Sequence, residues 1–353
     1  MRSPFYALKL FFLLNLLVFC NAYAEEKLIF AVDVIRHGDR TPIHEIPAVP
    51  YHWTQGLGQL TPTGMRQEYQ LGSHLHALYI DQYHLLPPTY LPETMYVRST
   101  NYDRTLMSAE SFLIGLYPLG TGPTLPSSKT PALPQAYQPI PIHTVSQEQD
   151  TLLLVRTDLS QYAPLLKQHL YLTPQWKEKN AVLQSHYSEW SKATGVTITD
   201  LSQLQSLSDT LYINQRYHLP FPSGLSFKEA QTIIEAGQWV LMAPYQNKTL
   251  AHLSSDELLK TIVDYLQQAI DQKTSLKYVL FSAHDTTLLS LLGAMGAPSS
   301  QLPPYASDLN IMLFKEEARY YVKIHFNERP VLIPSCTKGI CSIDQLKKQL
   351  LDL

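Results

Sequence analysis

The chain has 353 residues, of which 45% are hydrophobic and 16% charged, enough apolar material for one large domain or two modest ones. With 27 Lys and Arg against 30 Asp and Glu, the formal charge is -3. That balance excludes a general basic face for nucleic acid, so any anion site must be built locally.

Residues 1–24 read as an export signal. Arg2 and Lys9 carry positive charge, Leu10 to Cys20 is almost wholly apolar, and Ala22-Tyr23-Ala24 offers a cleavage point before Glu25. The apolar run is well short of the ~20 residues a spanning helix needs, which argues against an uncleaved anchor. Bulky Phe19 argues against lipidation at Cys20. No later segment is long or apolar enough to span a bilayer, including the C-terminal Lys347 to Leu353. The expected product is secreted or periplasmic, with no stable membrane insertion. Cleavage removes Cys20 and leaves Cys336 and Cys341 for an oxidising compartment, where one short-loop disulfide is expected. Two thiols without a nearby His pair do not suit zinc, and His74 and His76, two apart on a helix, face different directions, so no metal site is expected.

Leu28 to Ile35 is a nearly continuous branched apolar run, interrupted at Asp33, and predicts a buried strand. It ends in Arg36-His37-Gly38-Asp39-Arg40-Thr41-Pro42, after which Thr61 and Pro62 start a helix through Met65, Tyr69, Leu71 and Leu75. The pattern repeats in a strand from Met95 to Val97, stopping at Arg98, and a helix from about Tyr102. Prolines 118 to 141 mark an extended surface connection. From about Asp150 to Pro244 the reading is helical, with Pro174 opening a segment, Gly195 closing it, and Ser226 to Val240 forming another. Ser254 and Glu257 form a capping-box pattern for a helix through Ile270. A strand from Tyr278 to Ala283 then stops at His284-Asp285, and Thr286 opens a helix. Leu309 to Phe314 and Arg319 to Phe326 close the chain as a hairpin. The alternation predicts an α/β sheet with helices on its faces, whose core spans residues 25–125 and 245–353 and is interrupted by an inserted, mostly helical cap at 126–244.

Three strand ends thus present Arg36, His37 and Arg40, then Arg98, then His284 and Asp285. In an open α/β sheet such residues converge on the crevice beyond the carboxyl ends of the strands, beside helix N-termini that favour anions. Guanidinium forks match phosphoryl oxygens, and a His among them stays neutral and nucleophilic because surrounding positive charge disfavours imidazolium. Asp285 suits proton donation to a leaving alkoxide. Asp39 and Arg104 are read as charge-pairing neighbours that orient the arginines, and stay outside the expected site.

Val34 to Pro42 is a full match to the RHGxRxP signature, and the chain resembles the histidine acid phosphatases within the histidine phosphatase superfamily. The stretch from Arg98-Ser99-Thr100 to Asp103-Arg104-Thr105 is similar to the family's third-arginine motif, and His284-Asp285-Thr286-Thr287 to its acid motif. The resemblance extends through Leu302-Pro303-Pro304-Tyr305-Ala306 to the cysteine pair, and is greatest to the prostatic and lysosomal acid phosphatase branch. It implies a phosphoglycerate-mutase-like three-layer core with a mixed sheet flanked by helices, plus a smaller helical cap. It also implies hydrolysis of small phosphate monoesters without a cofactor, with His37 as nucleophile, Asp285 as proton donor, and Arg36, Arg40, Arg98 and His284 as phosphate binders. Relatives are often dimers, so a homodimer is compatible with the resemblance. Bacterial phytases of the family usually carry Asn where Thr287 stands, which favours a broad acid phosphatase over a phytase or a narrow sugar-phosphate phosphatase.

Overall fold

The computed structural model describes residues 26–351, and the expected signal peptide lies outside the described residues. A seven-stranded mixed sheet runs in the order β2-β3-β1-β4-β5-β6, with β7 paired to β5. Its centre is β1 (Lys27–Arg36), parallel to β3 (Tyr278–Ala283) on one side and antiparallel to β4 (Asp308–Glu316) on the other. Strand β2 (Met95–Ser99) extends the parallel half. On the other edge β4 forms the expected hairpin with β5 (Arg319–Phe326), followed by the short β6 (Arg329–Pro330) and β7 (Ile340–Ser342).

Side chains alternate across a strand, so a strand buried on both faces feeds two cores. Phe30, Val32 and Val34 of β1 pack with Phe281 against α8 (Lys248–Ile270) and α9 (Asp285–Ala294), while Ala31 and Ile35 pack against α1 (Pro62–His76) and α2 (Asp103–Leu116). Each fully buried Val, Leu or Phe contributes roughly 1.5–3 kcal/mol. Three layers therefore result. The interruption at Asp33 is also explained: its carboxylate accepts from Tyr79 Oη at 2.9 Å and Asn310 Nδ2 at 2.6 Å, a polar knot inside the second core.

Residues 162–242 carry α3 (Tyr162–Leu166), α4 (Pro174–Gln184), α5 (Tyr187–Thr194), α6 (Leu204–Arg216) and α7 (Phe227–Met242). These helices contribute most of a third apolar cluster, centred on Trp190, Leu201, Leu207, Leu211 and Ile233, which also receives Ile46 and Val49 from the loop after β1. The region read as one helix between Pro174 and Gly195 is two, α4 and α5, broken at residues 185–186, with Gly195 ending the second at φ 74°. That left-handed conformation suits glycine.

Two other expectations are corrected. Helix α8 starts at Asn247, whose side chain accepts from Leu250 N at 3.1 Å. Ser254 lies inside that helix and bonds back to Leu250 O at 2.8 Å, so the Ser254/Glu257 pattern is not a cap. The proline-rich connection also does not stay at the surface throughout. Ile140 and Ile142 pack on the α1/α2 core, and His143 N donates to Val97 O at 2.9 Å along the β2 edge. Cys336 and Cys341 are disulfide-bonded, with Cys341 at 0% exposure in the α8/α9 core. A short C-terminal helix, α10 (Ile343–Leu351), follows. Among the described residues no helix is long and apolar enough to cross a membrane.

Candidate active site

A cleft of about 430 Å³ opens over the carboxyl ends of β1 and β3, walled on its far side by residues of α6 and α7. Arg36, His37, Arg40, His284 and Asp285 all line it. The turn after β1 is pressed against the start of α1. A Cβ added to Gly38 would fall 2.4 Å from Gly64 O, and one on Gly64 would fall 2.3 Å from Asp39 O. Only two glycines permit that approach, and it holds His37 still. Gly38 N donates to Ser108 Oγ at 3.1 Å from the α2 side.

His37 is buried, and its Nδ1 lies 2.8 Å from Gly38 O. A carbonyl only accepts, so Nδ1 carries the proton and Nε2 keeps its lone pair. Burial, and then the charges of Arg104, Arg40 and Arg36, hold this imidazole far below its ordinary pKa. It stays neutral in acid.

Arg36 donates to Pro303 O, pairs through Nη2 with Asp285 Oδ2 at 2.8 Å, and lies 4.2 Å from the Tyr305 ring centroid. Arg40 forms a bidentate pair with Asp209 of α6 at 3.0 and 2.9 Å. Asp285 begins α9, and its Oδ1 accepts from Thr286 N at 2.8 Å. Burial pushes its carboxyl up, but Arg36 and Arg40 outweigh burial and hold it below the ordinary carboxylate range.

His284 is the N-cap of α9, and its Nε2 lies 3.0 Å from Thr100 Oγ1. Thr105 Oγ1 spends its proton on the carbonyls of Thr100 and Tyr102, both at 2.9 Å. Thr100 therefore donates to Thr105 at 2.9 Å and accepts from His284 Nε2–H. The second ring nitrogen, Nδ1, keeps its lone pair and can only accept. Burial, followed by the charge of Arg104, lowers the His284 pKa to about 3.

Arg98 does not join this group. Its Nη2 pairs with the buried Asp150 Oδ1 at 2.7 Å, and it does not line the cleft. The third guanidinium of the cleft is instead Arg104, which sequence reasoning set aside. The physical reason is position. Arg98 still lies within β2, where its side chain leaves across a sheet face, whereas Arg104 sits in the first turn of α2, over the strand ends. Arg104 lies 4.4 Å above the Tyr102 ring, with its Nε buried and without a hydrogen-bond partner. Burial and the adjacent Arg40 lower its pKa to about 10, as expected of a cation whose counter-anion is a ligand.

Tyr305 and Asp209 were also missed. Burial raises the Tyr305 hydroxyl to about 12, so it remains a neutral ring against Arg36 and His37. Its place in Leu302 to Ala306, a stretch named only for likeness, was the one available signal. Asp209 had none. Asp39, set outside the site, is fully buried and accepts from Thr61 Oγ1 at 2.7 Å and from Tyr217 Oη, with Arg216 at 3.4 Å.

Residues 27–327 match the family profile of the histidine phosphatase superfamily (branch 2). Prostatic acid phosphatase of Mus musculus is 31% identical over 98% of this chain and 91% of its own length. Lysosomal acid phosphatase of Bos taurus is 31% identical over 92% and 77%. Among solved structures, a Klebsiella phytase superposes with TM-score 0.68 at 16% identity, covering 92% of this chain and 95% of that one, so it shares the fold. The sequence relatives, the family profile and the shared three-layer architecture agree, and the chain belongs to the histidine phosphatase superfamily, branch 2.

Proposed function

We propose that this chain is a secreted acid phosphatase that hydrolyses small phosphate monoesters through a phosphohistidine on His37, beneath a helical cap formed by the inserted segment. The observation that carries the reading is the neutral His37, its Nδ1 held by Gly38 O, enclosed with Arg36, Arg40 and Arg104 in one cleft that also holds Asp285. Nε2 attacks phosphorus as the ester P–O bond breaks, and the leaving oxygen takes the Asp285 proton. The Asp285 carboxylate then removes a proton from water, whose oxygen displaces His37 and releases inorganic phosphate. The guanidinium groups stabilise charge on the transferring PO3 unit, while His284, whose Nε2–H is given to Thr100, can meet only a protonated phosphate oxygen. Export is supported by the N-terminal segment and by the Cys336–Cys341 bond. Beyond the arginines, His284 and Asp285, the cleft is lined by His44, by the carboxylate of Asp209 and by uncharged residues, a poor match for an inositol polyphosphate.

The purified mature chain is expected to release p-nitrophenol from p-nitrophenyl phosphate at pH 5, and rapid quenching in alkali should retain an acid-labile phosphoryl label on the protein. Turnover without any such label would contradict the covalent route, and no turnover would contradict the phosphatase reading.

The two arginines are expected to behave differently. Arg104→Ala should lower kcat/KM by roughly 10²–10³-fold, the scale of losing one positioned donor to transition-state charge. Arg98→Ala should instead lower the unfolding midpoint, because Asp150 stays buried without its cation, at up to about 3 kcal/mol, while kcat of the folded protein changes less than about threefold. Parallel steady-state kinetics and thermal melts of the two variants check this. The reverse pattern would return Arg98 to the site.

A further inference from the structure

Arg40 offers five N–H protons, and three are already committed. Nη1 donates to Asp209 Oδ2 at 3.0 Å and to Thr41 O at 3.1 Å, and Nη2 donates to Asp209 Oδ1 at 2.9 Å. The Nε–H is buried without a hydrogen-bond partner. What remains is Nε–H and the second Nη2–H, two parallel donors along one edge of the guanidinium, the fork that suits two phosphoryl oxygens.

Asp209 holds more than Arg40. Its Oδ2 also accepts from Ile43 N at 3.1 Å, and the next residue of α6, Thr210, donates from Oγ1 to His44 O at 2.7 Å. About two helical turns further, Arg216 approaches Asp39 Oδ1 at 3.4 Å, and Tyr217 donates to the same carboxylate. Helix α6 thus grips the loop from Asp39 to His44 along its length.

We propose that Asp209 is a positioning residue for phosphoryl recognition: by occupying the end-on fork of Arg40 it turns the Nε/Nη2 edge toward the phosphate and couples α6 to the phosphate loop. This rests on the phosphatase reading above and assigns α6 a part in it. The alternative role for a carboxylate here, a competitor that phosphate must displace from Arg40, makes the opposite prediction. A positioning group raises affinity for phosphate, and a competitor lowers it.

The experiment is a double-mutant cycle on inhibition by inorganic phosphate, using Asp209→Ala, Arg40→Ala and the double variant with p-nitrophenyl phosphate as substrate. Asp209→Ala is expected to raise both KM and the phosphate inhibition constant about tenfold, the scale of one well-made charge-assisted contact. In the Arg40→Ala background the same change should be less than about twofold, because the residue acts through Arg40. Asp209→Asn, which keeps the shape and one acceptor, should fall between wild type and Asp209→Ala, and it stands in should the alanine variant fail to fold. Tighter phosphate binding in Asp209→Ala, or equal losses in both backgrounds, would overturn the proposal. An inactive wild type would instead overturn the phosphatase reading, and calorimetric titration with phosphate would still run the same cycle.

Discussion

His37→Ala is expected to lower kcat on p-nitrophenyl phosphate by on the order of 10⁴–10⁶-fold, the range seen when a covalent nucleophile is removed from an otherwise intact site. Phosphate binding should survive, because Arg36, Arg40 and Arg104 are held by contacts that do not pass through the imidazole: Pro303 O and Asp285, Asp209, and the Tyr102 ring respectively. The inhibition constant for phosphate should therefore move far less than kcat, and the alkali-stable label should vanish. Removing a cation beside three guanidinium groups would relieve repulsion, but His37 is neutral, so no such gain offsets the loss. Activity retained within tenfold of wild type would refute the nucleophile assignment.

Asp285→Asn should produce a loss that depends on the leaving group. General acid help is worth about 10²–10⁴-fold, and that help matters most for a basic alkoxide and least for p-nitrophenolate. In single-turnover phosphorylation, a simple alkyl phosphate should slow by about 10³-fold and p-nitrophenyl phosphate by about tenfold or less. Equal slowing of both esters would contradict the acid role. The pH dependence follows from the same carboxyl. Its pKa is depressed in the free site by Arg36 and Arg40, so above that value Asp285 is ionised before substrate arrives. The proton it needs then comes with a monoanionic ester, whose second ionisation lies near ~6. Wild-type kcat/KM should accordingly fall as pH rises above about 6. In the acid direction activity should persist, because the His37 nitrogen resists protonation.

How far the sequence reached can be seen in particular residues. The Arg36 to Pro42 run and the His284-Asp285 pair were legible because each follows a short apolar strand and ends it abruptly, and both line the cleft. The hairpin from Asp308 to Phe326 was legible for a similar reason, as alternation around a polar turn. The start of α8 was not, because Ser254 and Glu257 have the spacing of a capping box, and local spacing does not say whether a helix has already begun.

The third arginine marks the same limit. Arg98 and Arg104 are six residues apart in one motif, and both are charged residues near a strand end. Only the path of the chain off β2 decides which reaches the cleft, and the buried Asp150, distant in sequence, holds the other. Asp209 shows it more plainly, since nothing near it in the chain hints at Arg40, 169 positions away.

By itself the sequence determined the order of strands and helices and the chemistry carried on two strand ends, because hydrophobic period and turn residues act over a few neighbours. The tertiary structure alone decided which guanidinium groups face one another, which carboxylates hold them, and which ring nitrogen of His37 is free. Those are matters of distance in a crowded interior, where residues far apart in the chain fix each other's orientation and ionisation.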